Sequence, residues 1–260
     1  MKKCLILAVL LTAFAVVSYG QTAADHLKAG DEAYALFDDQ KALEHYQEAL
    51  KLEPENYEAL WKTSRALVDI ADVIPVSDKD VKGRQLKLYG EATDYAKKAV
   101  MAKPNDTWGH FQVSASMGKR LLLLSKKEQI AASKVVRGEI DKAIELDPTN
   151  DLAYHALGRW HRRMAEIGGA KRFFGSLIYG SIPKGTFEES QKYLKKALEL
   201  KPEFVNHHLE LGRTYVSLEK YDLATQEFQK AIDLPKTTSK DDVLKTDAQA
   251  ELAKIKGKTK

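Results

Sequence analysis

ATQEFQKAIDLP, residues Ala224–Pro235, repeats in outline four earlier phrases of the chain: ALEHYQEALKLEP at Ala42–Pro54, ATDYAKKAVMAKP at Ala92–Pro104, VRGEIDKAIELDP at Val136–Pro148 and SQKYLKKALELKP at Ser190–Pro202. Each runs from a small side chain to an apolar one four residues on, bulkier in all but Ala92–Pro104 where it is Ala96, then a small one three further, an apolar residue and then proline. Residues four and three apart share a helical face and proline cannot continue a helix, so each phrase reads as one face of a helix with a stop at its end. A chain that repeats a helical unit stacks its units, which predicts an all-α solenoid.

The two ends of the array are the regular parts. In the last unit, Val205 to Lys236, His208, Leu211, Gly212 and Tyr215 fall on a first helix and Tyr221, Ala224, Phe228 and Ala231 on a second. Gly212 and Ala224 are small where two helices cross closely, and Tyr215 and Phe228 fill the space beside them. This pattern resembles the tetratricopeptide repeat, a helix-turn-helix of about 34 residues, and the resemblance implies a right-handed solenoid. Gly30, Ala42, Tyr46, Ala49 and Pro54 take the corresponding places in the first unit.

Between these ends the repeats are enlarged. Pro54, Pro104, Pro148, Pro202 and Pro235 lie 50, 44, 54 and 33 residues apart, so three intervals exceed the repeat length by 16, 10 and 20. In the second unit the added segment is Pro75 to Gln85 (PVSDKDVKGRQ), which reads as a polar loop or short turn. The third is read as helix extension, because Trp108 to Ile140 contains no proline. The fourth holds Gly168 to Gly185 (GGAKRFFGSLIYGSIPKG), apolar, aromatic and bracketed by glycine. About five helix pairs are thus expected over residues 21–236, followed by a polar capping helix and basic tail over residues 237–260.

At the amino terminus Lys2 and Lys3 precede an apolar stretch from Leu5 to Val17, with small residues Ser18 and Gly20 two apart before Gln21. This is the order of a secretory signal peptide over residues 1–20, cleaved after Gly20, and the apolar run is short for a membrane span. The alternative is an uncleaved anchor. An exported, periplasmic or otherwise extracytoplasmic protein is expected. The single cysteine, Cys4, would leave with the leader, so no disulfide or thiolate site is expected in the mature chain. Loss of Lys2 and Lys3 lowers a formal net charge of +4 by two, and the remaining charges alternate in sign. No nucleic-acid footprint is read from this balance.

The stretch Ala153 to Pro235 carries a closer resemblance. It holds LGRW at Leu157–Trp160, the aromatic insert, IPKGTFEES at Ile182–Ser190 and KPEFVNHHLELGRTY at Lys201–Tyr215. In that order these resemble the regulator-of-microtubule-dynamics family of tetratricopeptide proteins, and KAIELDP at Lys142–Pro148 and DAQAELAKI at Asp247–Ile255 also fit. The resemblance implies the fold and a role in protein interaction. An exported chain meets no tubulin, so the partner is not carried across with them.

In tetratricopeptide proteins the first helices of the pairs line the concave side, which implies a partner-binding groove here. The positions that would face it are Trp61, Arg65, Trp108, Phe111, Leu152, His155, Arg159, Arg162, Asn206, Leu209, Arg213 and Val216. Arginines beside aromatic surfaces suit carboxylates and amphipathic peptides. On the groove reading, Arg159→Ala combined with Arg213→Ala would weaken partner capture and leave thermal stability nearly unchanged. The alternative is that these arginines lie on ordinary solvated helix faces and the tryptophans plug the enlarged pairs. Leu27 and Asp31 stand where the carboxylate clamp of chaperone-binding relatives has Lys and Asn, which disfavours that ligand class.

Phe173, Phe174, Leu177, Ile178 and Tyr179, with Lys171 and Arg172, form either an amphipathic element touching a membrane or partner, or a flap folded back over Trp160. The flap is preferred, because large exposed apolar patches are uncommon on monomers. His155 and His161 are six apart and His207 and His208 adjacent, spacings that do not share a metal ion, and no phosphate loop or catalytic motif is present. No metal, cofactor or catalytic residue is therefore expected. The chain reads as a non-catalytic scaffold for an unidentified protein or peptide, with a peripheral membrane protein and an enzyme as alternatives.

Overall fold

The repeated phrases end alike. Glu53, Lys103, Asp147 and Lys201, each directly before a proline, leave the helix in extended backbone with ψ between 80 and 96°, because the proline ring excludes helical backbone from its predecessor. Two residues past the proline the next helix begins. There Asn56, Asp106 and Asn150 accept a backbone N–H of the first turn on their side chains, satisfying one of the donors that a helix start leaves open.

The computed structural model describes residues 21–258; the expected leader over residues 1–20 and the last two residues of the basic tail lie outside them. The described residues form five helix pairs: α1 (Ala23–Ala35) with α2 (Asp39–Leu52), α3 (Tyr57–Asp72) with α4 (Val81–Ala102), α5 (Thr107–Leu121) with α6 (Lys126–Leu146), α7 (Asp151–Ala165) with α9 (Phe187–Leu200), and α10 (Val205–Ser217) with α11 (Tyr221–Asp233). Helix α8 (Gly169–Tyr179) interrupts the fourth pair, and α12 (Asp241–Ile255) packs against α10 and α11. No strand occurs among the described residues. The chain is an all-α solenoid with enlarged central repeats.

The phrases supply its core. Ala42, Tyr46, Ala49, Ala92, Ala96, Ala99, Val136, Ile140, Ala143, Ser190, Leu194, Ala197, Ala224, Phe228 and Ala231 are all buried. Three pairs close on a glycine of the first helix: Gly30 lies under the Tyr46 ring, Gly158 under Leu194 and Gly212 under Phe228. Enlargement takes different forms. In the second unit residues 73–80 make the connection, whereas residues 81–85, expected in the polar loop, already belong to α4. In the third unit the addition extends α6, which opens on a capping box between Ser125 and Glu128.

Helix α8 corrects the preference for a flap over Trp160. Gly168 (φ 66°) and Gly180 (φ 79°) bound it in left-handed backbone open to glycine. Between them Phe173, Phe174, Leu177 and Ile178 stand 61 to 72% exposed. Trp160 finds its partners elsewhere: it packs with Val136, Ile140 and Leu157, and its indole N–H donates to the Ser133 carbonyl at 3.1 Å. Arg172 ties α8 to the body by donating to the carbonyls of Met164 and Pro183. The side chains of Lys171 and Tyr179 lie outside the described residues.

Candidate functional site

The first helices α3, α5, α7 and α10 lie side by side, and their shared face is the inner face of the solenoid. None of the residues expected to line a groove there is exposed. Trp61 stacks on Trp108 with ring centroids 5.1 Å apart at 16°, and Trp108 meets the edge of Phe111. Phe111 is buried with Ala143 and Ala153, between α5, α6 and α7. Arg65 lies 3.6 Å over the Tyr34 ring and donates to the Tyr46 hydroxyl at 3.3 Å. Asn206 is half-buried. Leu209, expected in the groove, is fully buried with Leu194, Val205 and Leu211, because α9 to α12 enclose it.

The arginines are engaged by the chain's own acids, which corrects their reading as free forked donors. Glu210, with a side chain 3% exposed, sits at their centre. Arg162 donates to one carboxylate oxygen, and Arg213 donates to the other at 3.0 Å with Arg159 3.6 Å from it. Arg162 also pairs with Glu166 at 2.9 Å, and Arg213 with Asp247 at 2.9 Å and Glu251 at 3.4 Å. Burial alone would raise the Glu210 pKa, but the three guanidinium groups override it and hold the carboxyl well below the usual carboxylate range. Removing two of the three would leave a buried carboxylate undercompensated, so Arg159 and Arg213 are structural.

A second charged cluster occupies the far end of the same face. Asp69 and Asp72 of α3 are buried or nearly so; Lys119 of α5 pairs with Asp72 at 2.7 Å, and Lys240 pairs with Asp69 at 2.6 Å and lies 3.6 Å from Asp72. The Tyr34 hydroxyl donates to Asp69 at 3.0 Å and that of Tyr89 to Asp72 at 2.6 Å. Burial opposes the charge on Asp72, yet Lys119 and Lys240 bring its pKa to about 2. Lys240 belongs to the connection between α11 and α12. Its neighbour Ser239 donates to Asp39 at the start of α2, and Lys236 lies 5.2 Å over the Phe37 ring. The connection therefore lies at the end of the inner face formed by the last turn of α3 and the turn between α1 and α2, touching the first two units.

One turn before the Glu210 cluster, also between α7 and α10, the fold joins residues whose spacing kept them apart. His207 Nε2 lies 2.9 Å from Asp151, and its Nδ1 lies 3.0 Å from Nδ1 of His155. One assignment satisfies all three: His207 donates through Nε2 to the carboxylate, and its bare Nδ1 accepts from His155. Burial, and next the facing His207, hold His155 well below the usual imidazole range, and burial lowers His207 as well. The unfolded chain takes up protons near pH 6.5 where the folded chain does not. Stability is therefore complete above that pH and is lost as pH falls below it, by about 1.4 kcal/mol per unit for one such group. The thermal midpoint is expected to drop between pH 7.5 and 5.5, and His155→Gln to flatten the profile; an equally steep profile in that variant would contradict the assignment.

His208 is held differently, with Nδ1 2.6 Å from Glu227 and Nε2 2.8 Å from the Pro202 carbonyl. His110 repeats this arrangement with Glu139 and the Pro104 carbonyl, so the pair is a feature of the repeat. Among the described residues no group of three or more His, Cys, Asp or Glu side chains is placed to hold a metal ion, and no helix is long and apolar enough to cross a membrane. Sequence reasoning missed Glu210, Asp69, Asp72 and Lys240. Glu210 lies three residues before Arg213 on the same helical face, a spacing that signals an ion pair.

The family model for regulator of microtubule dynamics protein 1-3 matches residues 24–256 of this chain. Regulator of microtubule dynamics protein 1 of Mus musculus is 31% identical over 226 residues, covering 86% of this chain and 70% of that protein. The Bos taurus protein of the same name is 29% identical over 226 residues, covering 86% of this chain and 68% of its own length. Among solved structures, a thermophilic tetratricopeptide-repeat protein of Thermus thermophilus aligns with a TM-score of 0.65 at 18% identity, over 89% of this chain and 100% of that one. The fold is thus that of tetratricopeptide-repeat proteins.

Proposed function

Because the chain belongs to the regulator of microtubule dynamics protein 1-3 family, we propose that it is a non-catalytic interaction scaffold whose inner face receives an extended segment of a protein partner. The observation that carries this reading is the α11–α12 connection, which already lies on that face with Lys240 between Asp69 and Asp72. A surface that holds one extended segment by side-chain charge and hydroxyl groups has the shape and chemistry to hold another. Solenoids of stacked helix pairs characteristically present such surfaces.

The compartment follows from the leader. Lys2, Lys3 and the apolar stretch Leu5–Val17 support export, with cleavage after Gly20, into the extracytoplasmic space of a bacterial envelope. The relatives' names attach them to microtubule dynamics. An exported chain shares their scaffold and not that partner. Recovery of a soluble extracytoplasmic form beginning at Gln21 is the expected result, and a form retaining Met1 in the membrane fraction would reject it.

A photo-crosslinking residue at Asn206 on the inner face is expected to capture one defined protein in the native envelope, and one at exposed Gln229 on α11 to capture none. A second reading is favoured by the exposure of Phe173, Phe174, Leu177 and Ile178 on α8: a peripheral structural protein touching a membrane or partner through that helix. Capture from Ile178 and not from Asn206 would establish the second reading against the first.

A further inference from the structure

We propose that the segment Lys236–Lys240 of the α11–α12 connection is a displaceable occupant of the inner face, and that the face accepts in its place an extended partner segment bearing a lysine beside a hydroxyl side chain. This rests on the reading that the inner face receives a partner.

The connection is longer than its position in the fold requires. Helix pairs elsewhere are joined by four residues, as at residues 53–56, 103–106, 147–150 and 201–204, whereas seven residues, 234–240, separate α11 from α12. The extra length carries the chain to Phe37, Asp39, Asp69 and Asp72 and back. Its sequence beyond Pro235, KTTSK, has no apolar side chain to anchor it. Only charge and hydrogen bonds hold it there. Helix α12 is fixed independently, by Ala248 and Ile255 in the core with Leu244 and Leu252 packed beside them. The connection can therefore leave the face without undocking the helix that follows.

What it would leave behind defines the replacement. With Lys240 withdrawn, Asp39, Asp69 and Asp72 remain, and the cations near them are Lys119 on Asp72 and Arg65, whose guanidinium is stacked on Tyr34. Three carboxylates then face two cations. An uncompensated charge inside a protein demands a counter-charge, and the opening left by Lys240 fits a single ammonium on a flexible stem, the property that separates lysine from the planar guanidinium of arginine. Asp39, which accepts from Ser239, adds the requirement for a neighbouring hydroxyl. Asp241 is no part of the recognition: its carboxylate is fully occupied by the backbone and side chains of Thr237 and Thr238.

The test uses the full mature chain, wild type and Lys240→Gln, with a fluorescein-labelled peptide of residues 234–242 (LPKTTSKDD) and the same peptide carrying glutamine at the place of Lys240. Fluorescence anisotropy is expected to show the native peptide binding Lys240→Gln at least tenfold more tightly than wild type, and the glutamine peptide at least tenfold more weakly on that variant. Hydrogen exchange over Lys236–Lys240 is expected to rise in the variant. In wild type it is expected to rise on saturation with the native peptide, a readout that survives even if the variant folds poorly. Unchanged exchange in both experiments would show that the connection is fixed and overturn the proposal. Faster exchange without peptide binding would overturn lysine recognition while leaving the scaffold reading to the crosslinking at Asn206. A dimer of Lys240→Gln would assign the vacated face to a second copy of this chain and also overturn it.

Discussion

Glu210→Ala is expected to lower the folding free energy by about 3–5 kcal/mol, the usual cost of removing one partner from a buried ion cluster. Arg162, with a side chain 7% exposed, would keep only Glu166, and Arg159 would lose the acid beside it. Arg213 would retain Asp247 and Glu251. The loss arises less from the attraction removed than from cations left where water cannot reach them. Urea unfolding of the mature chain measures it, and a change below about 1 kcal/mol would put the cluster among surface pairs screened by solvent. Arg159→Ala combined with Arg213→Ala should be destabilising for the converse reason, since Glu210 would be left with Arg162 alone. These arginines are thus poor probes of partner binding.

Gly212→Ala is expected to cost about 1–3 kcal/mol, whereas the same exchange at Gly138 should stabilise by about 0.5–1 kcal/mol. A Cβ at position 212 would stand 2.5 Å from Phe228 Cε1, and Phe228 is fully buried with no room to swing aside. At position 138, inside α6, an added Cβ meets nothing within 4 Å. There alanine only restricts the unfolded chain and favours the helix. Paired thermal melts of the two variants read opposite signs from one chemical change. Equal signs would refute the close crossing of α10 and α11. Phe228→Leu placed beside Gly212→Ala should recover part of the loss, because neighbouring substitutions couple through shared space.

The contrast between core and inner face explains what could be read from the sequence. Ala42, Tyr46 and Ala49 announce their burial because local spacing and size decide it, and the same holds for Ala224, Phe228 and Ala231. Arg159, Arg162 and Arg213 were legible as positions on the inner face, but their state depends on Glu210 of α10, which Arg159 and Arg162 reach from α7, some fifty residues earlier in the chain. No periodicity links Asp69 to Lys240 or His155 to His207, since those contacts form only when units stack. The residues of α8 were ambiguous for another reason. Phe173, Phe174, Leu177 and Ile178 have one composition whether they fill a core or face solvent, and the glycines at positions 168 and 180 that set the helix apart say where it turns and not which way it faces.

The contact between Ser239 and Asp39 spans 200 residues. An open array of repeats behaves as a line in which each unit feels only its neighbours, so it can melt inward from either terminus one unit at a time. Here the last connector grips the first pair, and the line becomes a loop. Fraying at one terminus then removes support from the other, so the outermost units share one fate and unfolding gains the all-or-none character of a globular domain. Folding bears the opposite consequence: a contact of such sequence separation forms late and slowly, after the local pairs are in place.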